Sequence, residues 1–324
     1  MRVLVTGGAG YIGSVIVARL AARGHYVVVY DDLSRGHAAA VPAGAPLVRG
    51  DIRDGILLRK ALVEAGCDAV VHMAALAEVA ESVAEPERYH SVNVDGTAAV
   101  IEAAIAAGAA RLVFSSTAAV YGAPERTPID ENDPLAPSNP YGATKLACER
   151  LLHQARSGGD LAGTALRYFN ACGAYGACGE DHDPESHLVP LALRAVRDGT
   201  PIRVFGTDYP TPDGTCVRDY VHVADLADAH IAALEALPGV QGSFNLGTGR
   251  GDSVRAVLET VESVTGLSLR RETAPRRAGD PPILVAGNRR AQLDLGWRPN
   301  RSLKDAVTDA WAWMCGNPEG YAAG

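Results

Sequence analysis

The chain has 324 residues, with 30 Lys and Arg against 38 Asp and Glu, for a net charge of −8. Its 47% hydrophobic and 21% charged residues are globular values, and the length suits one large or two modest domains with ample core. The acidic balance argues against a general nucleic-acid surface, so an anionic substrate would need local arginines.

Arg2-Val3-Leu4-Val5 is a short apolar run and predicts a buried strand over 2–6. Thr6-Gly7-Gly8-Ala9-Gly10-Tyr11-Ile12-Gly13 follows, and a helical pattern then runs over 12–23. Gly8, Gly10 and Gly13 fit the dinucleotide fingerprint, and Gly7, Gly10 and Gly13 fit its wider-spaced variant. Small residues there let the backbone approach a pyrophosphate, whose charge then lies at a helix N-terminus. A second strand over 26–30 leads to Asp31, 18 residues past Gly13. An acid at that place bonds a ribose 2′-hydroxyl and repels a 2′-phosphate, which predicts NAD rather than NADP. Arg35, four residues on, could soften that preference.

A strand over 46–49 precedes Gly50-Asp51-Ile52, a position suited to an adenine edge, and a helical pattern covers 54–65. The strand over 69–72 runs into His72-Met73-Ala74-Ala75. Small residues at a strand's carboxyl end let a dinucleotide lie across the sheet; tight packing explains them equally simply. A helical pattern over about 86–107 contains Asn93, which reads either as a polar link near the cofactor or as a solvated side chain. Its alanine-dense part favours helix and close helix packing. The strand over 111–116 ends in Ser115, Ser116 and Thr117. A hydroxyl there serves either to cap the strand end or to share a proton with a neighbouring base.

The helix over 141–156 supplies that base. Tyr141 and Lys145 stand at i and i+4 on one helical face. A free phenol has a pKa near ~10 and is a poor base at neutral pH. A fixed cation nearby is expected to bring it down. A last strand over 162–168 completes an alternation of strands and helices that predicts right-handed crossovers and a parallel sheet covered on both faces. From 171 to 215 Pro, Gly and Asp become frequent, which predicts a smaller second lobe. Segments 224–236 and 243–246 read as a helix and strand returning to the large sheet. The expected fold is therefore α/β: a Rossmann-type doubly wound parallel sheet with a smaller C-terminal α/β lobe. Six cysteines (67, 148, 172, 178, 216, 315) form no Cys-x2-Cys pair. With no signal peptide and no apolar run of spanning length, a cytoplasmic chain with reduced thiols and no membrane partner is expected.

Thr6–Gly13, Phe114-Ser-Ser-Thr117, Val120-Tyr-Gly122 and Tyr141-x3-Lys145 resemble the extended short-chain dehydrogenase/reductases. Leu166-Arg-Tyr-Phe-Asn170, Gly206 through Val223, Asn245-Leu-Gly247 and Arg276-Arg-Ala-Gly-Asp280 narrow the resemblance, from end to end, to the UDP-glucose 4-epimerases of that family. The stretch 206–223 is the most specific. The resemblance implies transient hydride transfer from carbon 4 of a UDP-hexose to tightly bound NAD, then rotation of the 4-keto sugar and return of hydride to its other face. Side activity on UDP-N-acetylhexosamines is compatible with it.

By the same resemblance, Tyr141 is the base, Thr117 shares its proton path, and Lys145 bonds the nicotinamide ribose. The implied cofactor residues are Gly7, Gly10, Tyr11, Ile12, Gly13, Asp31, Asp51, Ile52, Ala74, Ala75, Asn93, Ser115 and Tyr168. The implied substrate residues are Asn170, His187, Leu188, Phe205, Arg218, Tyr220, Arg277, Asp280 and Leu284. Arg218 and Arg277 match diphosphate contacts, for which guanidinium forks are suited. Phe205 matches a uracil contact, and Leu284 falls where a pocket-gating residue sits. Residues 1–169 form the implied NAD domain, with 218–246 returning to it; 170–217 and 247–324 form the nucleotide-sugar lobe. Helices over 86–107 and 141–156 resemble those through which family members form homodimers.

The chain also departs from the pattern. Ala77 stands where some relatives carry a cofactor-contacting Lys, Met73 replaces a common aromatic, and His187 replaces a frequent Asn. Glu180-Asp181-His182-Asp183 superficially resembles a metal cluster. A solvated loop without metal is expected, because the implied chemistry needs none. A sugar-nucleotide 4,6-dehydratase would carry an Asp-Glu pair after the Thr, where this chain has Ala118-Ala119. A uronate epimerase would need a carboxylate pocket, and a silent NAD-binding regulator would not need Thr117, Tyr141 and Lys145 intact.

Overall fold

The computed structural model describes residues 1–277 and 279–321. Its centre is a seven-stranded sheet. The strands are β1 (Arg2–Thr6), β2 (Tyr26–Asp31), β3 (Leu47–Arg49), β4 (Ala69–His72), β5 (Arg111–Thr117) and β6 (Ala162–Tyr168), with Gly242–Leu246 as the last. The spatial order is Gly242–Leu246, β6, β5, β4, β1, β2, β3, and every neighbouring pair is parallel. The order reverses direction beside β1, between β1 and β4. Doubly wound sheets open a ligand crevice at such a point, at the strands' carboxyl ends.

Alternation along the strands builds the two covered faces. Val3 and Val5 of β1 join Val27 and Val29 of β2 in one core, under the helices Tyr11–Ala22 and Val223–Ala236. Leu4, Val28 and Tyr30 point the other way, into a second core with Leu58, Leu62, Val100 and Ala104. All three β1 residues are fully buried. Each such side chain contributes on the order of 1.5–3 kcal/mol, which is why a continuous apolar run marks a strand covered on both sides.

A third core, with Val189, Leu193, Val257, Leu258, Val261 and Met314, lies under the helices Leu188–Asp198, Val254–Thr265 and Leu303–Gly316. Short strands connect this lobe. Val217–Arg218 pairs with Ile283–Leu284 in parallel and with Asp252–Ser253 antiparallel. Tyr220–His222 pairs with Asn170–Cys172. The chain after 218 therefore first extends the small sheets, and only from Val223 rejoins the large one.

The expected elements recur within a residue or two, with one exception. The helical pattern over 86–107 is broken into Pro86–Tyr89, a π turn at His90–Asp95, and Gly96–Ala107, and a separate helix Val79–Ala84 precedes it. The wide turn contains Asn93, whose side chain reaches out of the helix to the chain at Leu76. Among the described residues, no helix is long and apolar enough to cross a membrane.

Candidate active site

A cleft of about 830 Å³ runs along the carboxyl ends of the strands. Gly7, Gly10, Tyr11, Ile12, Gly13, Asp31, Asp51, Ile52, Ala74, Ala75, Ser115, Thr117, Tyr141, Lys145 and Tyr168 all line it. So do Asn170, His187, Arg277, Asp280 and Leu284 from the second lobe's side.

The glycine turn has no room for side chains. A Cβ on Gly13 would lie 2.0 Å from the Gly7 oxygen, and Gly7 itself has φ +69° and sits against the Ala74 backbone. Helix Tyr11–Ala22 starts directly after this turn, so its free N–H groups face the cleft. At the end of β2, Asp31 is 7% exposed. Its carboxylate accepts from the Ala9 N–H at 3.0 Å and the Leu33 N–H at 2.9 Å. Burial raises its pKa, and these two amide bonds oppose the rise. The tight turn, the helix start and the acid fit a dinucleotide with a free ribose 2′-hydroxyl. Arg35 also lines the cleft, where its guanidinium donates to Asp183 O and to Glu81 Oε1.

Tyr141 enters from the first turn of helix Pro140–Gly158. Asn139 caps that helix through Gly142 N at 2.8 Å, and Pro140 occupies its first position. A Cβ on Gly142 would lie 2.6 Å from the Ala119 oxygen, so the helix start is pressed against the turn that follows Thr117. Thr117 accepts from Ala119 N at 3.1 Å, which orients its hydroxyl. One helical turn on, Lys145 is 3% exposed and donates to the Ser115 carbonyl at 2.9 Å. The Ser115 hydroxyl meets the Tyr168 hydroxyl.

The electrostatics correct one expectation. Burial pushes the Tyr141 phenol up to about 12, and the opposing influence is the Thr117 hydroxyl rather than Lys145. Burial also pushes the Lys145 ammonium down to about 8, against the weaker opposing influence of Cys148 and Glu149, while its hydrogen bond goes to the neutral Ser115 carbonyl. The protein alone holds the pair as a protonated phenol beside a weakened ammonium.

Several expected site residues lie behind the wall rather than on it. Asn93 is 1% exposed, neither solvated nor facing the cleft. Its amide clasps both the N–H and C=O of Leu76 and donates to Thr144, pinning the cleft-lining segment after Ala75 to the Tyr141 helix. Arg218 pairs with Asp280 at 2.5 Å, so its charge is held against the carboxylate that lines the cleft. Phe205 lies under Arg277, whose guanidinium carbon is 4.3 Å from the ring centroid. Leu188 and Tyr220 pack with the second lobe's core. Met73 and Ala77 both line the cleft.

The acidic segment is a loop, but only part of it is solvated: Asp183 is exposed, Asp181 and His182 are half-buried, and Glu180 is drawn inward. Glu180 is 9% exposed and lines the cleft together with His182 and His187. Burial separates this reading from the sequence, which showed only an acidic run. Asn139 was also overlooked, although Ser138-Asn139-Pro140 is a helix-start signal.

A Rossmann sheet with a glycine cradle, a ribose-binding acid and a Tyr–Lys pair in one cleft defines a nucleotide-dependent oxidoreductase-type enzyme. Residues 3–247 match the family described as the NAD dependent epimerase/dehydratase family, and the chain belongs to it. It is 50% identical over 323 residues to the UDP-glucose 4-epimerase of Streptomyces lividans, covering 99% of this chain and 98% of that one. The crystal structure of UDP-glucose 4-epimerase from Brucella ovis in complex with NAD superposes with a TM-score of 0.93 at 44% identity, covering 96% and 97% of the two chains. The UDP-Glc/GlcNAc 4-epimerase of Campylobacter jejuni superposes with a TM-score of 0.86 at 35% identity, covering 97% and 99%.

Proposed function

We propose that the chain is an NAD-dependent UDP-glucose 4-epimerase, interconverting UDP-glucose and UDP-galactose. The observation that carries this reading is the convergence of Thr117, Tyr141 and Lys145 on one cleft with the glycine turn and Asp31. Its resemblance to epimerases over nearly the whole chain supports the same reaction.

NAD supplies a hydride acceptor that is regenerated within each cycle. Gly7, Gly10, Gly13 and the helix start hold its pyrophosphate, and Asp31 its adenosine ribose. Lys145 binds the nicotinamide ribose and adds positive charge beside Tyr141. Tyr141 takes the proton of the sugar's 4-hydroxyl, and Thr117 shares that proton path. The reverse transfer reprotonates the 4-keto sugar after it has turned over. Such turning requires a nucleotide held strongly and a hexose held loosely. Arg277 anchors the diphosphate region, backed by the Arg218–Asp280 pair and by Phe205 beneath its guanidinium, while Asn170 and His187 lie on the hexose side.

Residues 1–169 with 218–246 serve the cofactor, and 170–217 with 247–324 serve the nucleotide sugar. The working form is a cytoplasmic homodimer, paired through the helices of 86–107 and 141–156. Incubation with UDP-galactose and no added NAD, followed by nucleotide-sugar chromatography, tests the reading. UDP-glucose is the expected product, and unchanged UDP-galactose overturns it.

A further inference from the structure

We propose that Glu180, His182, Glu185 and His187 bind one divalent transition-metal ion that pins the 180–187 segment across the wall of the cofactor cleft. One ligand atom from each of the four residues lies within 4.8 Å of the others. The close pairs are His187 Nδ1 with Glu180 Oε1 at 2.7 Å, His187 Nδ1 with Glu185 Oε1 at 3.2 Å, and His182 Nδ1 with Glu180 Oε1 at 3.3 Å. Ligands at ~2.0–2.2 Å from a tetrahedral ion stand roughly 3.3 Å apart, so small side-chain rotations close the shell. Two carboxylates and two neutral imidazoles balance a doubly charged ion, and this donor set suits zinc or its neighbours over calcium or magnesium.

The second observation concerns partners. The Glu180 and Glu185 side chains are 7% and 2% exposed. Glu180 Oε1, Glu185 Oε2 and His182 Nδ1 are buried atoms without a hydrogen-bond partner among the described residues. Three such atoms in one cluster mark a shared need, since buried polar atoms are nearly always satisfied. Imidazole protons compete with a metal here, since Glu180 Oε1 lies 3.3 Å from His182 Nδ1 and 2.7 Å from His187 Nδ1. The single Nδ1–H of His187 is aimed at Glu185, yet Glu180 Oε1 lies closer to the same nitrogen. A divalent ion in place of those protons lies within reach of one ligand atom from each of the four side chains.

The segment's other contacts give the ion its consequence. Ser186 donates to Glu78 at 2.8 Å, Arg35 donates to Asp183 O at 3.1 Å, and His37 Nε2 meets Asp181 O at 2.9 Å. Residues 181–186 thus bridge the 35–37 and 78–81 walls. The ion holds that bridge and takes no part in hydride transfer.

Zinc is the probe. Cofactor-loaded protein, with the exposed Cys315 changed to Ser so that a surface thiol does not capture metal, is stripped with EDTA, desalted and titrated with zinc chloride by calorimetry. One zinc per chain is expected, confirmed by elemental analysis after desalting. His182→Ala and Glu180→Gln should each weaken it at least ~10-fold. Far-ultraviolet circular dichroism checks folding, and Glu185→Gln replaces any variant that fails to fold. No saturable zinc binding overturns the proposal, and so does binding of equal strength in all variants. Because the readout is metal rather than turnover, failure here is distinct from failure of the epimerase reading.

Discussion

Arg167 and Glu149 form a two-pronged ion pair beneath the cleft. Nη2 lies 2.6 Å from Oε2 and Nε 2.9 Å from Oε1, with side chains only 4% and 7% exposed. Ser116 donates to Glu149 Oε1 at 2.5 Å, and Arg167 Nη1 donates to Tyr121 at 2.8 Å. Tyr121 in turn donates to Asn245 at 2.7 Å. Glu149 stands one helical turn beyond Lys145, and Ser116 is next to Thr117. The network therefore fastens the helix carrying Tyr141 and Lys145 to the strand end carrying Thr117.

Removing one member of such a pair leaves a buried charge without its partner. Arg167→Met should lower unfolding free energy by ~3–5 kcal/mol. The double variant Arg167→Met with Glu149→Leu should recover much of that loss, since an apolar pair strands no charge. Urea unfolding measures both. Equal loss in the single and double variants would show that packing volume, not charge pairing, sets the stability.

Lys145 presents the opposite balance. Its ammonium is buried against one carbonyl, and burial pushes its pKa down to about 8 from the ordinary lysine value of 10.5. Below about 8 the folded chain carries the full cost of burying the charge. Between about 8 and 10.5 the folded state has released the proton while the unfolded chain still holds it, so stability rises with pH across that window. Lys145→Met should therefore leave the cofactor-free protein at least as stable as wild type at pH 7, with the difference shrinking toward pH 10. Cofactor retention and turnover should both fall. Denaturant melts at the two pH values check this, and a variant markedly less stable at pH 7 would refute it.

Much of this arrangement was legible in the chain. Runs such as Val3-Leu4-Val5 and Val27-Val28-Val29 announce strands buried on both sides. The glycine spacing announces the cradle, because close backbone approach is a local property. What was not legible depends on burial and on partners distant in sequence. Nothing local says that Asn93 sits in a π turn and clasps Leu76, or that Glu180 is drawn inward to two histidines. The tuning of Tyr141 was misjudged for the same reason. The i, i+4 spacing brings Lys145 onto the right face, but burial is the largest influence on the phenol and the Thr117 hydroxyl the one that opposes it.

That balance sets the pH behaviour of the base. With the phenol at about 12 in the protein alone, Tyr141 is protonated at neutral pH, and activity should rise with pH until the base has ionised in the productive complex. Tyr141→Phe keeps the ring and removes the ionisable oxygen. Turnover should fall at least ~100-fold, and the alkaline rise should disappear. Sugar-nucleotide affinity should change little. Rate profiles of both proteins over pH 6–9 decide the matter; a variant within threefold of wild type would remove Tyr141 from the mechanism.

Leu284 tests the breadth of the pocket. It lines the cleft from the short strand Ile283–Leu284, which is paired with Val217–Arg218, and it packs beside the cluster of Val120, Tyr121, Ile129 and Leu146. A leucine there is intermediate in size and flexible. UDP-galactose should accordingly be the main substrate, with slower but measurable turnover of UDP-N-acetylgalactosamine. A tyrosine adds bulk that the fixed strand pairing cannot relieve by moving away, and overpacking costs ~1–3 kcal/mol. The larger N-acetyl sugar should bear that cost. Leu284→Tyr should thus suppress the N-acetyl reaction by at least ~10-fold and spare the galactose reaction. The quantity to compare is the ratio of the two kcat/KM values in wild type and variant. If that ratio is unchanged, the pocket is gated elsewhere along the cleft.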